Sequence, residues 1–471
     1  MDQLEVEIGR GLALRGNLSP RAEALVRQLL SLDNPAWLDA KKYGRYCGNI
    51  PRKLCFAKSL KSGGLSAPRG AAGRVLKLLE AEKIPHEVLD RTRLLPPVDL
   101  AFAGKLRPHQ EGAAQAALSR RFSVIQLPTG AGKTVVALAC IAARAQPAAI
   151  VVHTKELLYQ WRDRAAEFLG LAEDRIGQVG DGRCEIGPEL TVCLVHSLYT
   201  RAQDLCPRIG HLVVDECHHA PSRTFTQAIS AFDCRYMLGL SATPFRRDGL
   251  TSLIHFFVGE LVCEIHPQEL QDRGQILSAR LCVRPTGFEY PYDDDYPQMV
   301  AALCADPARS QAIARDVAEW AAQGLGPALV VSDRKAHCLD LAVRIRELGA
   351  RTAVLTGDVP GPERRECVAA ANSGGVDVLV ATLQLVGEGF DCPGLSALFL
   401  ATPMKFSGRV LQVVGRILRT ARGKGPATVF DYVDAHGVLK ASFAARRRAY
   451  RQLGLTEDPS GQEGPGRKIW L

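Results

Sequence analysis

The sequence predicts an α/β protein, two tandem parallel-sheet domains preceded by a small N-terminal α+β accessory domain. Short apolar strands alternate with amphipathic helices twice, first within residues 98–262 and again from about 275 to 437. Such alternation builds a parallel sheet covered by helices on both faces. The 471 residues are too many for one ordinary core, given roughly 100–200 residues per domain. A composition of 46% hydrophobic and 23% charged residues is globular and excludes a mostly disordered chain.

Residues 1–97 start with a helical pattern over 20–32, in which Ala22, Leu25, Val26, Leu29 and Leu30 share one face. They continue through a basic stretch to Leu94-Leu95-Pro96-Pro97, which reads as a linker. In the next domain, 98–262, strands are expected at 123–127, 148–153, 189–195, 212–215 and 235–240, with helices at 132–145 and 155–169. A third domain, 263–440, repeats the texture with strands at 327–332, 351–356, 376–382, 397–401 and 427–432. Its helices are expected at 334–348 and 361–373, and no internal sequence repeat is obvious. The end, 441–471, holds a basic helix over 441–453 with Arg446-Arg447-Arg448, then a Gly-, Pro- and Ser-rich tail expected to be disordered.

No apolar run approaches the ~20 residues of a membrane span, and the N-terminus shows no apolar signal region. The fourteen cysteines are scattered singly, without a C-x-x-C pair, so neither zinc nor a disulfide framework is expected. Reduced thiols in a cytoplasm fit that usage, with nucleoid association if the source is bacterial. Net charge is +9, and residues 1–100 carry 17 basic against 11 acidic side chains, two-thirds of the excess. Residues 40–79 contain no Asp or Glu but hold Lys41, Lys42, Arg45, Arg52, Lys53, Lys58, Lys61, Arg69, Arg74 and Lys77. Tyr43, Tyr46 and Phe56 are interleaved with them, the mixture expected where phosphates and exposed bases are engaged. The alternative is a solvated basic face with the aromatics in a small core. Neutralising four phosphates would give a salt slope of roughly −3.6 on duplex DNA.

The central motif is Leu127-Pro128-Thr129-Gly130-Ala131-Gly132-Lys133-Thr134, between a strand and a helix. Its glycines let backbone N–H groups and the positive end of the following helix surround phosphates. Lys133 reaches the β- and γ-phosphates in such a loop, and the Thr134 hydroxyl ligates Mg²⁺. Leu127 stands where the pattern usually has its first Gly. Further on, His211-Leu212-Val213-Val214-Asp215-Glu216-Cys217-His218-His219 is an apolar strand ending in paired carboxylates. After a phosphate loop, Asp215 is expected to hold Mg²⁺ and Glu216 to orient or deprotonate the attacking water.

With these motifs in order, the chain resembles a superfamily 2 helicase of the DExH type, over about residues 105–437. The resemblance implies RecA-like domains that bind ATP and Mg²⁺, with Asp215 and Thr134 on the metal. Leu106-Arg107-Pro108-His109-Gln110 resembles the adenine-reading segment, which assigns Arg107 and Gln110 to ATP alongside Pro128, Thr129, Gly130, Ala131 and Gly132. Ser241-Ala242-Thr243, followed by Pro244, resembles the motif that couples hydrolysis to nucleic-acid binding. Val386-Gly387-Glu388-Gly389-Phe390-Asp391 resembles motif V, with Gly389 and Asp391 near the nucleotide. Gln412-Val413-Val414-Gly415-Arg416-Ile417-Leu418-Arg419 resembles motif VI, which makes Gln412 part of the catalytic set and Arg416 and Arg419 arginine fingers. A finger is worth ~10³–10⁵ in rate, so the resemblance implies that closure of the two blocks and hydrolysis are coupled.

The same resemblance places nucleic-acid contacts at Thr154, Lys155, Ser197, Ser332, Arg334 and Thr382, beside Lys41, Lys42, Arg45, Arg52 and Lys53 of the basic stretch. Thr154 is equally a helix N-cap. A short motor with one accessory N-terminal domain and Ser-Ala-Thr-Pro-x-Arg-x-Asp-Gly resembles the XPB-like and UvsW-like DNA helicases. That resemblance implies a monomeric motor on duplex or branched DNA with a single-stranded tracking strand, in repair or recombination such as branch migration or fork remodelling. RNA helicase is the runner-up, and a non-catalytic nucleic-acid-binding protein with a retained nucleotide fold is the rival from another class. A restriction-complex motor ranks lower, since no metal-nuclease constellation stands in either terminal region.

Overall fold

The computed structural model describes residues 4–219, 223–242, 250–387, 390, 392–404, 407–421 and 423–457. Thr243 and Pro244, Glu388, Gly389, Asp391 and the tail after 457 lie outside the described residues. The chain divides into two compact units, one of Met1–Leu127 and Gly132–Glu264, the other centred on Ile265–Leu471. No helix among the described residues is long and apolar enough to cross a membrane.

The first unit opens with β1 (Leu4–Ile8), β2 (Leu12–Arg15), β3 (Ser31–Asp33), β4 (Lys53–Cys55), β5 (Lys58–Ser59), β6 (Leu65–Ala67) and β7 (His86–Asp90). Five of them form a mixed sheet ordered β5-β6-β2-β1-β7, while β3 and β4 pair separately. Helices α1 (Pro20–Leu29), α2 (Pro35–Lys42) and α3 (Ala72–Ala81) complete this part. Helix α1 starts where Ser19 Oγ accepts from Ala22 N–H with proline in the first turn, which satisfies a free donor and presets φ.

An eight-stranded sheet follows, ordered β11-β10-β12-β9-β13-β14-β8-β15. Its strands are β8 (Phe122–Gln126), β9 (Ala148–Val152), β10 (Ile176–Gly180), β11 (Arg183–Glu185), β12 (Leu190–Leu194), β13 (His211–Val214), β14 (Tyr236–Ser241) and β15 (Glu260–Glu264). All neighbours pair in parallel except β10 and β11. Covering helices are α4 (Pro108–Leu118), α5 (Lys133–Arg144), α6 (Lys155–Leu169), α7 (Val195–Leu205), α8 (Arg223–Ser230) and α9 (Ser252–Phe257). Strand β9, Ala-Ala-Ile-Val-Val, is buried at every position, because helices shield both faces of a parallel sheet.

The N-terminal sheet does not stand apart from this one. Leu4, Val6, Ile8, Leu12 and Leu14 join one apolar cluster with Leu253 and Phe256 of α9. Buried Arg69 donates to Cys234 O at 3.1 Å, Lys77 pairs with Glu260 at 2.9 Å and Arg93 with Asp233 at 2.8 Å. Leu94–Pro97, expected as a linker, is instead strapped down. Leu95 exchanges hydrogen bonds with the Gln146 side chain, and Val98 N–H reaches Ala145 O. Proline removes donors but leaves the flanking main chain free to bond.

The second unit carries a seven-stranded parallel sheet ordered β18-β19-β17-β20-β21-β16-β22. The strands are β16 (Ala279–Thr286), β17 (Ala328–Ser332), β18 (Thr352–Leu355), β19 (Val378–Thr382), β20 (Ala397–Leu400), β21 (Ala427–Asp434) and β22 (Thr456–Glu457). The helices are α10 (Pro267–Asp272), α11 (Tyr296–Ala305), α12 (Pro307–Ala322), α13 (Lys335–Glu347), α14 (Gly361–Asn372), α15 (Leu383–Gly387), α16 (Ser407–Ile417) and α17 (Gly437–Gln452). Alternate strand residues face opposite cores. Leu329, Val331, Leu379 and Ala381 pack toward α16 and α17, whereas Val330, Val378 and Val380 pack toward α12 and α13. The basic helix begins at Gly437 rather than 441, and Arg446 points inward to pair with Asp431 at 2.7 Å. Tyr450 Oη donates to the same carboxylate.

Candidate nucleotide site and nucleic-acid interface

Sheet order assembles the nucleotide residues. Strands β13, β14 and β8 are consecutive, with Val214 opposite Gly239 and Ser241 opposite Gln126. Asp215 and Glu216 follow β13, Ser241 and Ala242 end β14, and the phosphate loop follows β8. Residues 82 apart in the chain (215 − 133) thereby come to strand ends about 10 Å apart. Ligands of open parallel sheets bind at carboxyl ends of this kind.

Gly130 and Gly132 hold φ of +87° and +85°, a region L-residues rarely enter. A Cβ on Gly132 would also lie 2.2 Å from Gln110 Nε2, so the Gln110 side chain rests against the loop. Gln110 is buried, and its Oε1 accepts from the Arg107 N–H at 2.9 Å, while the Arg107 side chain is exposed. Lys133 and Thr134 open α5, where the helix dipole adds positive potential.

Lys133 Nζ stands 3.6 Å from Glu216 Oε1, and His218 Nδ1 lies 3.3 Å from Glu216 Oε2. The Ser241 hydroxyl is also 3.3 Å from His218 Nδ1, so the coupling motif meets the acidic motif through this imidazole. Glu216 has φ of +45°, unusual for a residue with a Cβ and typical of functional turns. Asp215 is held at both oxygens: Glu216 N–H donates to Oδ1 at 2.9 Å and Trp161 Nε1–H to Oδ2 at 2.7 Å. Burial, then the adjacent Glu216 carboxylate, raises Asp215 to about 6 against the pull of Lys133 and the Trp161 N–H.

Among the described residues no cluster of three or more His, Cys, Asp or Glu side chains is arranged to hold a metal by itself. The Asp215 carboxylate and Thr134 hydroxyl are hard oxygen donors that suit Mg²⁺, which takes few protein ligands and completes its shell with phosphate oxygens and water.

In the second unit Gln412 and Arg416 lie on α16 and are buried. Arg416 Nε donates to Val386 O at 2.8 Å and Nη1 to Phe390 O, binding motif VI to motif V. Arg419 follows the helix, on a turn clamped by Lys424. The Lys424 ammonium donates to Arg419 O and Ile417 O at 2.8 Å and to Pro393 O at 2.9 Å. Burial pushes Lys424 down to about 8, with Arg419 acting in the same direction and Cys392 opposing.

The expected nucleic-acid contacts also gather by strand order. In the first sheet Leu194 pairs with Val152, which brings Ser197 and Thr154 to neighbouring strand ends. In the second, Ser332 sits opposite Thr382. Lys155 pairs with Asp181 at 2.5 Å, and Thr154 caps α6 by accepting from Leu157 N–H. Ser332 must be corrected: its side chain is fully buried, contacts His337 Nδ1 at 3.0 Å and accepts from Arg334 N–H. It therefore braces the strand–helix turn, and Arg334 is the exposed member of that pair.

Lys41, Lys42, Arg45, Arg52 and Lys53 are all exposed. Lys41 and Arg52 lie 5.1 and 5.4 Å from the Trp37 ring, and Lys42 and Arg45 each 5.4 Å from Tyr43, within cation–π range. Tyr43 and Tyr46 are 63% and 83% exposed, which excludes a small core around them. Phe56 does pack inward, on Phe256 and Phe257. Of the same acid-free stretch, Arg69 is buried against Cys234 and Lys77 forms an exposed ion pair with Glu260.

Sequence reasoning passed over Trp161, His218 and Lys424. A signal existed for the first. Leu158, Trp161, Ala165 and Leu169 form the buried stripe of α6, and a buried indole N–H requires an acceptor.

Two family models match, in chain order. Residues 103–246 match the type III restriction enzyme res subunit, and residues 316–421 match the helicase conserved C-terminal domain. The DNA 3'-5' translocase XPB2 of Sulfurisphaera tokodaii is 37% identical over 166 residues, covering 35% of this chain and 37% of that protein. The ATP-dependent DNA helicase uvsW of Enterobacteria phage T4 is 23% identical over 367 residues, covering 73% of this chain and 72% of the phage protein. Among solved structures, a fragment of a putative HsdR subunit of a type I restriction enzyme from Vibrio vulnificus superposes with a TM-score of 0.58 at 18% identity. That match covers 76% of this chain and 69% of the other and supports the tandem RecA-like fold.

Proposed function

We propose, from the premise that the chain belongs to the superfamily 2 helicases and so is an ATP-hydrolysing enzyme, that it is a DNA helicase or translocase. Its proposed substrate is duplex or branched DNA with a single-stranded tracking strand, and its role is junction or fork remodelling in repair or recombination, as a monomeric motor. The observation that carries this reading is the partition of one sheet edge. The ends of β13, β14 and β8 carry the nucleotide residues, and the ends of β9 and β12 beside them carry Thr154 and Ser197. Relatives named as DNA motors support DNA over RNA, and the exposed basic, aromatic surface around Tyr43 supports a nucleic-acid partner.

Within the site, the loop N–H groups and Lys133 hold phosphate oxygens, and Gln110 meets the adenine. Mg·ATP, when bound through Asp215 and Thr134, supplies the scissile phosphoanhydride and offsets its charge. Glu216 orients the attacking water and accepts its proton, and His218 passes the change at Glu216 to Ser241. Arg416 and Arg419 are the proposed arginine fingers.

ATP turnover and strand displacement on a panel of single-stranded DNA, fork, four-way junction, plain duplex and RNA duplex test the reading. Stimulation is expected to be strongest with fork or junction DNA. Stimulation by RNA alone rejects the DNA assignment, and the absence of any nucleic-acid-stimulated turnover returns the chain to a non-catalytic binding protein.

A further inference from the structure

Trp161 is buried at 2% exposure in the middle of α6 and belongs to no phosphate, acid or arginine motif. Its indole N–H donates at 2.7 Å to Asp215 Oδ2, while Oδ1 is held by the Glu216 N–H and the Asp215 main chain bonds Val151 O. A carboxylate on a single Cβ has two soft torsions. With one donor on each oxygen, both are set. The indole is itself immobile, since it stands on the same buried stripe as Leu158, Ala165 and Leu169.

We propose that Trp161 is a positioning residue for nucleotide hydrolysis, fixing the rotamer in which Asp215 meets the Mg²⁺ of Mg·ATP. The inference rests on the assignment of Asp215 as the Mg²⁺ carboxylate. Partners that orient a metal's carboxylate or imidazole ligand are worth roughly 10–100-fold in metal affinity or activity when removed. An indole that only satisfied its own N–H would leave metal affinity unmoved.

Trp161→Phe keeps an aromatic ring in the stripe and removes the donor. Binding of a fluorescent ATP analogue, followed without turnover, is titrated with Mg²⁺ in both proteins. The Mg²⁺ half-saturation point is expected to rise about tenfold or more in the variant, with the affinity for metal-free nucleotide unchanged and the melting temperature lowered by the lost buried hydrogen bond and ring volume. An equal loss of nucleotide affinity with and without Mg²⁺ overturns the proposal, as does an unchanged half-saturation point.

A measurement on the wild type decides the matter if the variant fails to fold. The Trp161 indole ¹⁵N–H resonance, assigned by elimination with Trp37→Phe, Trp320→Phe and Trp470→Phe, must shift when Mg²⁺ is added to the nucleotide-bound protein. A stationary resonance rejects the assignment. If wild-type protein shows no Mg²⁺-dependent nucleotide binding at all, the reading of Asp215 itself fails. If it does bind and Trp161→Phe matches it, only the role of Trp161 falls.

Discussion

The acidic pair at the end of the first sheet's β13 and the cations around α16 in the second unit are held by different means. At the carboxyl edge of the first sheet, two carboxylates are held by donors of both kinds: the Trp161 indole and the Glu216 main-chain N–H fix Asp215, and Lys133 and His218 flank Glu216. Around α16 in the second unit, cations are held by main-chain carbonyls: Arg416 by Val386 and Phe390, Lys424 by Pro393, Ile417 and Arg419, whereas Arg446 and Arg309 of the same unit pair with the carboxylates of Asp431 and Asp434. A buried carbonyl that loses its donor costs about 1–3 kcal/mol, so a cation bonded to the main chain is also part of the fold. Lys133, by contrast, stands 3.6 Å from a carboxylate, and its proposed part is charge toward a ligand rather than packing.

The largest effect that can break this comparison is Arg416→Ala. Turnover is expected to fall ~10³-fold or more, as for a lost arginine finger, and the melting temperature is expected to fall with it because two carbonyls lose their donor. Lys133→Ala is expected to lower turnover by about 10²–10³-fold while leaving the melting temperature and most DNA binding intact. Equal thermal losses in the two variants would show that the division is not real.

A smaller effect sharpens the second half. Lys424, held near 8 by burial, loses its proton and one of its donors as pH rises through that value, and the turn carrying Arg419 loosens. Turnover should decline on the alkaline side. Lys424→Arg keeps the charge at all accessible pH, so the decline should move upward in a pH–rate profile of that variant.

The smallest effect concerns stability in acid. His337, on the buried face of α13 and against Ser332 and Ser310, is pushed by burial from 6.5 to about 4. Between those values the unfolded chain binds more protons than the folded one, so stability falls as pH drops through 6.5 toward 4. Burial drives His211 in the first sheet the same way. Denaturant midpoints measured across that range should fall with pH, and less steeply in His337→Asn.

The strands of both sheets were legible to within one or two residues where they are apolar throughout, as in β9, β17 and β19, because burial on both faces leaves no polar positions. Strand β16 escaped notice although it lies between β21 and β22, since Arg280, Arg284 and Pro285 interrupt its pattern. Strand β15, on the sheet's edge, carries Glu260 and Glu264 and reads as a polar segment. Among candidate site residues, Lys133 with Thr134 and Asp215 with Glu216 stand out in the sequence because the chemistry expected of each pair places its members adjacent in the chain. Ser332 was expected on the resemblance alone and is buried, as motif position carries no information about exposure.

By itself, the amino-acid order determined the local conformations. Gly130 and Gly132 permit the loop's positive φ, Thr134 opens a helix behind it, and an all-apolar run places Asp215 at a strand end. Tertiary structure alone decided which strand ends are neighbours. It thereby set Ser241 against His218, brought an indole from α6 onto Asp215, and engaged Arg69 with Cys234 and Lys77 with Glu260. The physical reason is range. Backbone preference and capping act over a few residues, whereas strand order and side-chain pairing follow from burying two faces of a sheet at once, and no short stretch of sequence encodes that.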